Sequence, residues 1–228
     1  KKLNTKNQER YELLKVDLVN KEETENVIKY VKPDVIFHFA AESHVDRSIN
    51  DPLNFIKNNI DLSINLFFAY SHYLKIKKIK FFQISTDEVY GSLIKGYSKE
   101  TDPYDPSSPY SASKGSVDLI ASSFNRTYKT NIKIINLSNN YGPYQYPEKF
   151  IPTLILHYLK NKPAPIYGKG KNIREWIHVK DSCEAILKTI MSKRNFKKIN
   201  IGSSLRVSNI EIANLIFKIM KSKGLTDL

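Results

Sequence analysis

The sequence holds one cysteine, two methionines, one tryptophan and six arginines, and its first glycine is Gly91. With Cys183 alone no intrachain disulfide can form, so packing must hold the fold. Cys183 lies in VKDSCEAILKTI, a helical pattern in which it is expected to be a small buried hydrophobe. No apolar run approaches the roughly 18 residues of a membrane span, and the first residues lack the basic-then-apolar order of a signal peptide. A cytoplasmic location with no membrane partner is therefore expected. Fixed-period repeats and low-complexity stretches are also missing, which argues against a solenoid or a disordered tail. His38, His44, His72, His157 and His178 show no metal-ligand spacing, so no metal site is expected, and His38 reads as a core residue.

What remains is an ordinary globular composition, 41% apolar and 26% charged over 228 residues. A net charge of +13 would ordinarily suggest a polyanionic partner. Here the excess is lysine spread over the whole chain, and its densest clusters, KIKKIK (75–80) and KGKNIR (169–174), carry no interleaved aromatics for base stacking. Nucleic acid is not the expected partner; a small anionic ligand is.

Apolar runs of strand length occur at 34–40, 79–85, 132–138 and 198–202, with a short one near 175–179. Helical patterns fill 52–75 and 109–129. Strands without polar alternation, separated by long helices, imply a parallel sheet covered on both faces, so the fold class is α/β, doubly wound and Rossmann-like. Asn50 and Asp51 before Pro52 mark a helix start, and SNIE (208–211) has capping-box spacing. Glycine and proline become more frequent after about residue 142, which suggests a boundary between 1–142 and a smaller subdomain, 143–228, with interleaved sheet elements.

In an open parallel sheet, ligands bind beyond the carboxyl ends of the strands. The first three strands end in HFAAESHVDRS, STDEVYG and SNNYGPY, so these segments share one rim. The acidic pair Asp87-Glu88, by itself an ordinary surface turn, therefore lies where chemistry is expected. Tyr110 and Lys114 in PYSASK begin the next helix four residues apart, on one face. An ammonium beside the phenol would favour its anion and lower its pKa, making a base for an alcohol proton. The spacing alone is uninformative, because Tyr-x-x-x-Lys also begins at 11, 73, 158 and 167. Only the match at 110 opens a helix just after a strand end bearing Ser85 and Thr86.

Together AAESHVDRS, STDEVYG, PYSASK, SNNYGPYQYPEKFIP and IREW resemble the extended short-chain dehydrogenase/reductase family, and within it the dTDP-glucose 4,6-dehydratases. The resemblance runs over essentially the whole chain, and it implies that 1–142 binds the cofactor and 143–228 mainly the substrate. It implies a lyase that uses NAD and a nucleotide-diphosphate sugar, supplying a deoxysugar such as rhamnose, and it implies a homodimer formed through the two long helices. Tyr110 would take the C4 hydroxyl proton, Thr86 would bond the same oxygen, and Lys114 would hold the cofactor ribose. Glu88 would act as base at C5, and Asp87, kept protonated, would donate to the departing C6 hydroxyl. Two neighbouring carboxyls can divide these roles if their environments separate their pKa values.

Residue by residue, the resemblance gives the cofactor Asp17, Leu18, Phe39, Ala40, Ala41, Ser43 and Asn58, together with Tyr110 and Lys114. It gives the substrate Ser43, Thr86, Asn139, Lys149, Phe150, Pro165, Tyr167, Arg174 and Asn209, with Arg174 suited to a diphosphate. Asp17 could instead cap the following helix, and Arg174 could be a surface cation. The family's glycine-rich cofactor loop has no counterpart ahead of Gly91, and the C-terminus stops early, so a fragment of a longer enzyme is expected, weak in NAD binding and with an unpaired sheet edge. A UDP-glucose dehydratase shares these motifs. Related epimerases and decarboxylases share all but Asp87-Glu88, and an inactive nucleotide-binding fragment would give no reason to keep the five polar residues together.

Overall fold

The computed structural model describes residues 11–92, 96–192 and 194–228. Four parallel strands form the main sheet, in the order β1 (Val35–His38), β2 (Lys80–Thr86), β3 (Ile132–Leu137), β6 (Lys198–Ile201). A second sheet joins β4 (Asn139–Tyr141), β5 (Ile173–His178) and β7 (Arg206–Ser208), with β4 parallel and β7 antiparallel to β5. The helices are α1 (Lys21–Val31), α2 (Val45–Asn50), α3 (Pro52–Tyr73), α4 (Pro109–Thr127), α5 (Phe150–Leu159), α6 (Val179–Met191) and α7 (Asn209–Ser222).

Apolar residues follow one another along β2 and β3 because both faces of this sheet are covered. Phe81, Ile132 and Ile134 pack with Leu66, Phe67, Tyr70, Val117 and Phe124 of α3 and α4. The neighbouring Phe82, Ile84 and Ile135 instead meet Ile177 and Ile186, the latter on α6. A third cluster, built on Leu154, Tyr158, Trp176, Ile212 and Met220, joins α5, β5 and α7. The chain thus leaves the main sheet after β3, returns to it for α6 and β6, and leaves again at β7. The strand expected near 175–179 belongs to the smaller sheet. β4 and β7, three residues each, and α2 have no counterpart in the sequence reading.

Local chemistry fixes the helix starts. The Asp51 carboxylate accepts from Asn54 N (3.4 Å) ahead of Pro52, and the Ser208/Glu211 capping box opens α7 as its spacing predicts. Asn20 rather than Asp17 caps α1; Asp17 instead accepts from Val19 N at 3.0 Å. Among the described residues β1 pairs on one side only, and Phe37 and Phe39 are exposed there. His38 is buried as expected, 3.0 Å from the Ser63 hydroxyl, and burial with the Lys114 charge lowers its pKa to about 3, so its ring is neutral. Cys183 corrects the sequence reading: it is exposed. Ser182 and Ile186, one turn apart, form the buried stripe of α6, and Cys183 lies about 100° around the helix from Ser182. No helix of the described residues is long and apolar enough to cross a membrane.

Candidate active site

The carboxyl end of β2 runs straight into a single 3-10 turn, Asp87–Tyr90, capped by the Thr86 hydroxyl, which accepts from Glu88 N at 3.2 Å. The cap fixes both acids at the mouth of a cavity of about 570 Å³. Its walls include Asp87 and Glu88 on one side and Arg174, Glu175, Gly202 and Arg206 from the second sheet and the end of β6. Gly91 ends the turn at φ +76°, where a β-carbon would collide with the Asp105 carbonyl.

The two acids sit in different electrostatic surroundings. Asp87 is pushed up to about 7 by withdrawal from water, then by the charges of Glu88 and Glu175, against the Thr86 hydrogen bond and the Arg174 charge. Glu88 is raised by burial too, but two cations, Arg174 and Lys149, pull it back. Near neutrality Asp87 is therefore the carboxyl that retains a proton, and Glu88 has the cations that favour its anion. Glu175 is held in place by Ser204 N, 3.0 Å from its Oε1, and by Gly202, whose missing side chain leaves it room.

Tyr110 and Lys114 arrive from the first turns of α4. Ser108 caps that helix through a box in which Ser111 takes the place usually held by glutamate, and Pro109 follows at the first helical position. Ser48 of α2 accepts from Tyr110 N at 3.2 Å, and the Tyr110 ring meets Phe55 edge-on. The Thr86 hydroxyl, which donates to Asp87 Oδ1 at 3.3 Å, lies near enough to the phenol to act on its pKa. The Tyr110 pKa differs from the sequence expectation: it is raised, first by burial and then by the charges of Glu88 and Asp87, with the Thr86 hydroxyl opposing. Lys114, only 5% exposed, donates instead to the Ile84 carbonyl at 2.6 Å, and burial lowers its own pKa.

Other sites read from the sequence gather on the same rim to differing degrees. Asn59 of α3 grips the chain beyond β1, accepting from Glu42 N (2.8 Å) and donating to Glu42 O (3.0 Å) and to Ser113 Oγ (3.0 Å) on α4. That clamp ties the segment beyond β1, which carries Phe39, Ala40, Ala41 and Ser43, to α3 and through it to α4. Asn58 donates to Glu42 Oε1 at 2.8 Å. Lys149 reaches Ser43, donating to its carbonyl (2.6 Å) and contacting its hydroxyl (3.2 Å). Phe150 begins α5 and stacks on Trp176, Asn139 pairs with Trp176 in the sheet register, and Asn209 N donates to Asn172 O at 3.1 Å. Asp17 and Leu18 lie beyond this cluster, where Asn65 of α3 donates to the Leu18 carbonyl. Pro165 and Tyr167 are outlying and exposed, the tyrosine 85% so, with its hydroxyl 3.4 Å from Asp46. Sequence reasoning missed Glu175, which follows Arg174 in IREW, and Asp118, which continues the four-residue spacing of Tyr110 and Lys114.

The arrangement brings a phenol and a hydroxyl next to two carboxyls at the cleft, one held toward its protonated form and the other flanked by two cations. Such a set can deprotonate an alcohol, abstract a proton next to a carbonyl and protonate a leaving hydroxyl.

Known proteins share this framework. The dTDP-glucose 4,6-dehydratase of Neisseria meningitidis serogroup B is 41% identical over 220 residues, which are 93% of this chain and 62% of that protein. The chain thus spans less than two thirds of that relative's length. DesIV, a dTDP-glucose 4,6-dehydratase from Streptomyces venezuelae solved with NAD and TYD bound, superposes with a TM-score of 0.83 at 36% identity, over 91% of this chain and 62% of its own. UDP-glucose 4-epimerase from Thermus thermophilus, in complex with NAD, reaches 0.82 at 26% identity, over 97% of this chain and 73% of its own. Overall shape therefore does not separate the two chemistries; the side chains at the rim must. A family model described as GDP-mannose 4,6 dehydratase matches residues 1–226, and the chain belongs to that family.

Proposed function

We propose that the protein bearing this chain is an NAD-dependent dTDP-glucose 4,6-dehydratase, a hydro-lyase that converts the glucose unit to 4-keto-6-deoxyglucose for deoxysugar synthesis. The observation that carries this reading is the Asp87-Glu88 pair beside Thr86 and Tyr110, one acid flanked by negative charge and the other by two cations. Relatives with that activity at 41% identity over most of the chain support it.

NAD, held by residues at the carboxyl end of β1 and by Lys114, would supply reversible hydride exchange with the sugar. The residues present fit its ribose: small alanines stand beyond β1, and the Asn58 amide and the buried Lys114 ammonium are donors that would exchange their present carbonyl and carboxylate partners for ribose hydroxyls. Phe39, Ala40, Ala41 and Ser43 would line its path, with Asp17 and Leu18 at its adenine end. Tyr110 takes the C4 hydroxyl proton while Thr86 bonds the same oxygen and orients the sugar. The phenol's raised pKa makes the tyrosinate a strong base, formed only when a cation offsets the two neighbouring acids. Once C4 is a ketone the C5 proton becomes acidic, and Glu88 removes it. Asp87 gives its proton to the C6 oxygen, and water leaves. Glu88 then returns its proton to C5 as C6 is reduced, which leaves Tyr110 protonated and Asp87 ionised; passage of the phenol proton to Asp87, through solvent, restores the starting charges.

Arg174, at the cleft wall, is placed to meet a diphosphate, and Lys149 with Ser43 closes the sugar side. Asn139, Phe150, Pro165, Tyr167 and Asn209 complete the nucleotide-sugar lobe, which lies mainly within residues 143–228. The protein works as a cytoplasmic homodimer through α3 and α4, whose Leu53 (81% exposed) and Leu119 (65% exposed) offer the apolar contact. Incubation with NAD and either dTDP-glucose or UDP-glucose, followed by proton NMR, tests the function. A 4-keto-6-deoxy product from the thymidine sugar is expected. Inversion at C4 with the 6-hydroxyl intact would assign an epimerase instead.

A further inference from the structure

Asp118 is 1% exposed, on the same face of α4 as Tyr110 and Lys114, one turn beyond the lysine. Its Oδ2 accepts from the Ser85 hydroxyl at 2.6 Å and from the Tyr104 hydroxyl at 2.9 Å, while its Oδ1 has no hydrogen-bond partner. A buried carboxylate costs several kcal/mol unless cations offset it, and an asparagine could accept the same two hydroxyl bonds. What the carboxylate alone supplies is negative charge.

Resting on the dehydratase reading, we propose that Asp118 is a positioning residue: the buried counter-ion that keeps Lys114 protonated, one helical turn beyond Tyr110, and fixes Ser85 next to Thr86. Lys114 and Asp118 couple through space, since the ammonium donates to the Ile84 carbonyl and the carboxylate's Oδ2 is occupied by the two hydroxyls. Burial drives Lys114 toward its neutral form, and the Asp118 charge opposes it. In the other direction, Lys114 and, from β6, Lys198 favour ionised Asp118 against burial, which holds it at about 6. Lys198 sits 4.0 Å from the centre of the Tyr104 ring and 5.5 Å from that of Tyr90. The groups facing Asp118 are therefore Lys114 and Tyr110 from its own helix, Ser85 from β2, Tyr104 and Tyr90 from the loop and turn, and Lys198 from β6. A neutral Lys114 would have no charge to hold a ribose hydroxyl.

The test follows the ε-carbon NMR signal of Lys114, assigned by its loss in Lys114→Arg, through a pH titration of the protein and of its Asp118→Asn variant. Asparagine keeps both acceptor bonds and removes only the charge, so the Lys114 pKa is expected to fall by about 1–3 pH units. The alkaline limb of kcat/KM should move the same way. An unchanged Lys114 titration in the folded variant overturns the proposal. Should the variant not fold, the protein itself decides: its Lys114 signal should inflect as Asp118 takes up a proton near pH 6, in an Asp87→Asn background that removes the other acid titrating nearby. A Lys114 signal flat through that range refutes the coupling. The titration is read without turnover, so failure to form a keto product would sink the dehydratase reading and leave the Lys114 result standing on its own.

Discussion

Asp87 and Glu88 are chemically near-identical neighbours, yet their surroundings assign them opposite work. Glu88 and Glu175 raise Asp87 against Arg174, whereas Arg174 and Lys149 both pull Glu88 down. Glu88→Gln should abolish exchange of the C5 proton with solvent deuterium while C4 oxidation still reduces bound nicotinamide, seen by its absorbance; exchange that persists would remove Glu88 as the base. Tyr110→Phe should fail one step earlier, with kcat down about 10²–10⁴-fold and no reduced nicotinamide. Because the donor at C6 must be protonated and Asp87 titrates at about 7, kcat should fall as pH rises through that value. In Asp87→Asn that limb should vanish, with kcat lower by a comparable factor. A limb unchanged in the variant would place the acid elsewhere.

At the scale of elements, the site depends on how α2, α4 and β2 are tied together. Ser48 is fully buried; its hydroxyl donates to Val45 O at 2.6 Å and accepts from Tyr110 N, so it joins two helices at the phenol. Ser48→Ala should cost about 1–2 kcal/mol in a urea melt and at least about tenfold in kcat through a shifted Tyr110. Ser208→Ala, at a cap away from the acids, should cost about 1 kcal/mol and leave the pH profile intact. β2, β3, α3 and α4 were legible in the sequence because continuous apolar runs and a capped proline state their own boundaries. β4 and β7 were not, since three residues carry no period and their pairing with β5 creates them. Cys183 was misplaced because a helical pattern gives a stripe, and a residue one step off it turns outward. The rim acids were legible from strand-end position, but the Tyr110 pKa was not: the spacing to Lys114 is local, whereas the burial and the Glu88 and Asp87 charges that raise it come from packing. Asp118 escaped for a related reason, as a polar residue in a helix reads as a solvated one.

Across the whole molecule, the cleft lies where the main sheet meets the smaller lobe, and its chemistry is obtained at a cost in stability. The folded pKa of Asp87, about 7, lies above its ordinary 3.8. Its contribution is thus fully present below about pH 4 and lost as pH rises through 7, an upper bound of about 4 kcal/mol at 1.36 kcal/mol per pH unit. Asp87→Asn should therefore raise Tm by several degrees at pH 8, and the advantage should shrink toward zero at pH 4. Equal melting shifts at both pH values would contradict the burial of that charge. The central claim concerns hydrogen bookkeeping within one sugar. Conversion of dTDP-[4-²H]glucose in ordinary water, followed by NMR of the product, reads it directly. The account predicts a 4-keto sugar whose C6 methyl carries the deuterium lost from C4. Deuterium retained at C4, with oxygen still on C6, would contradict it.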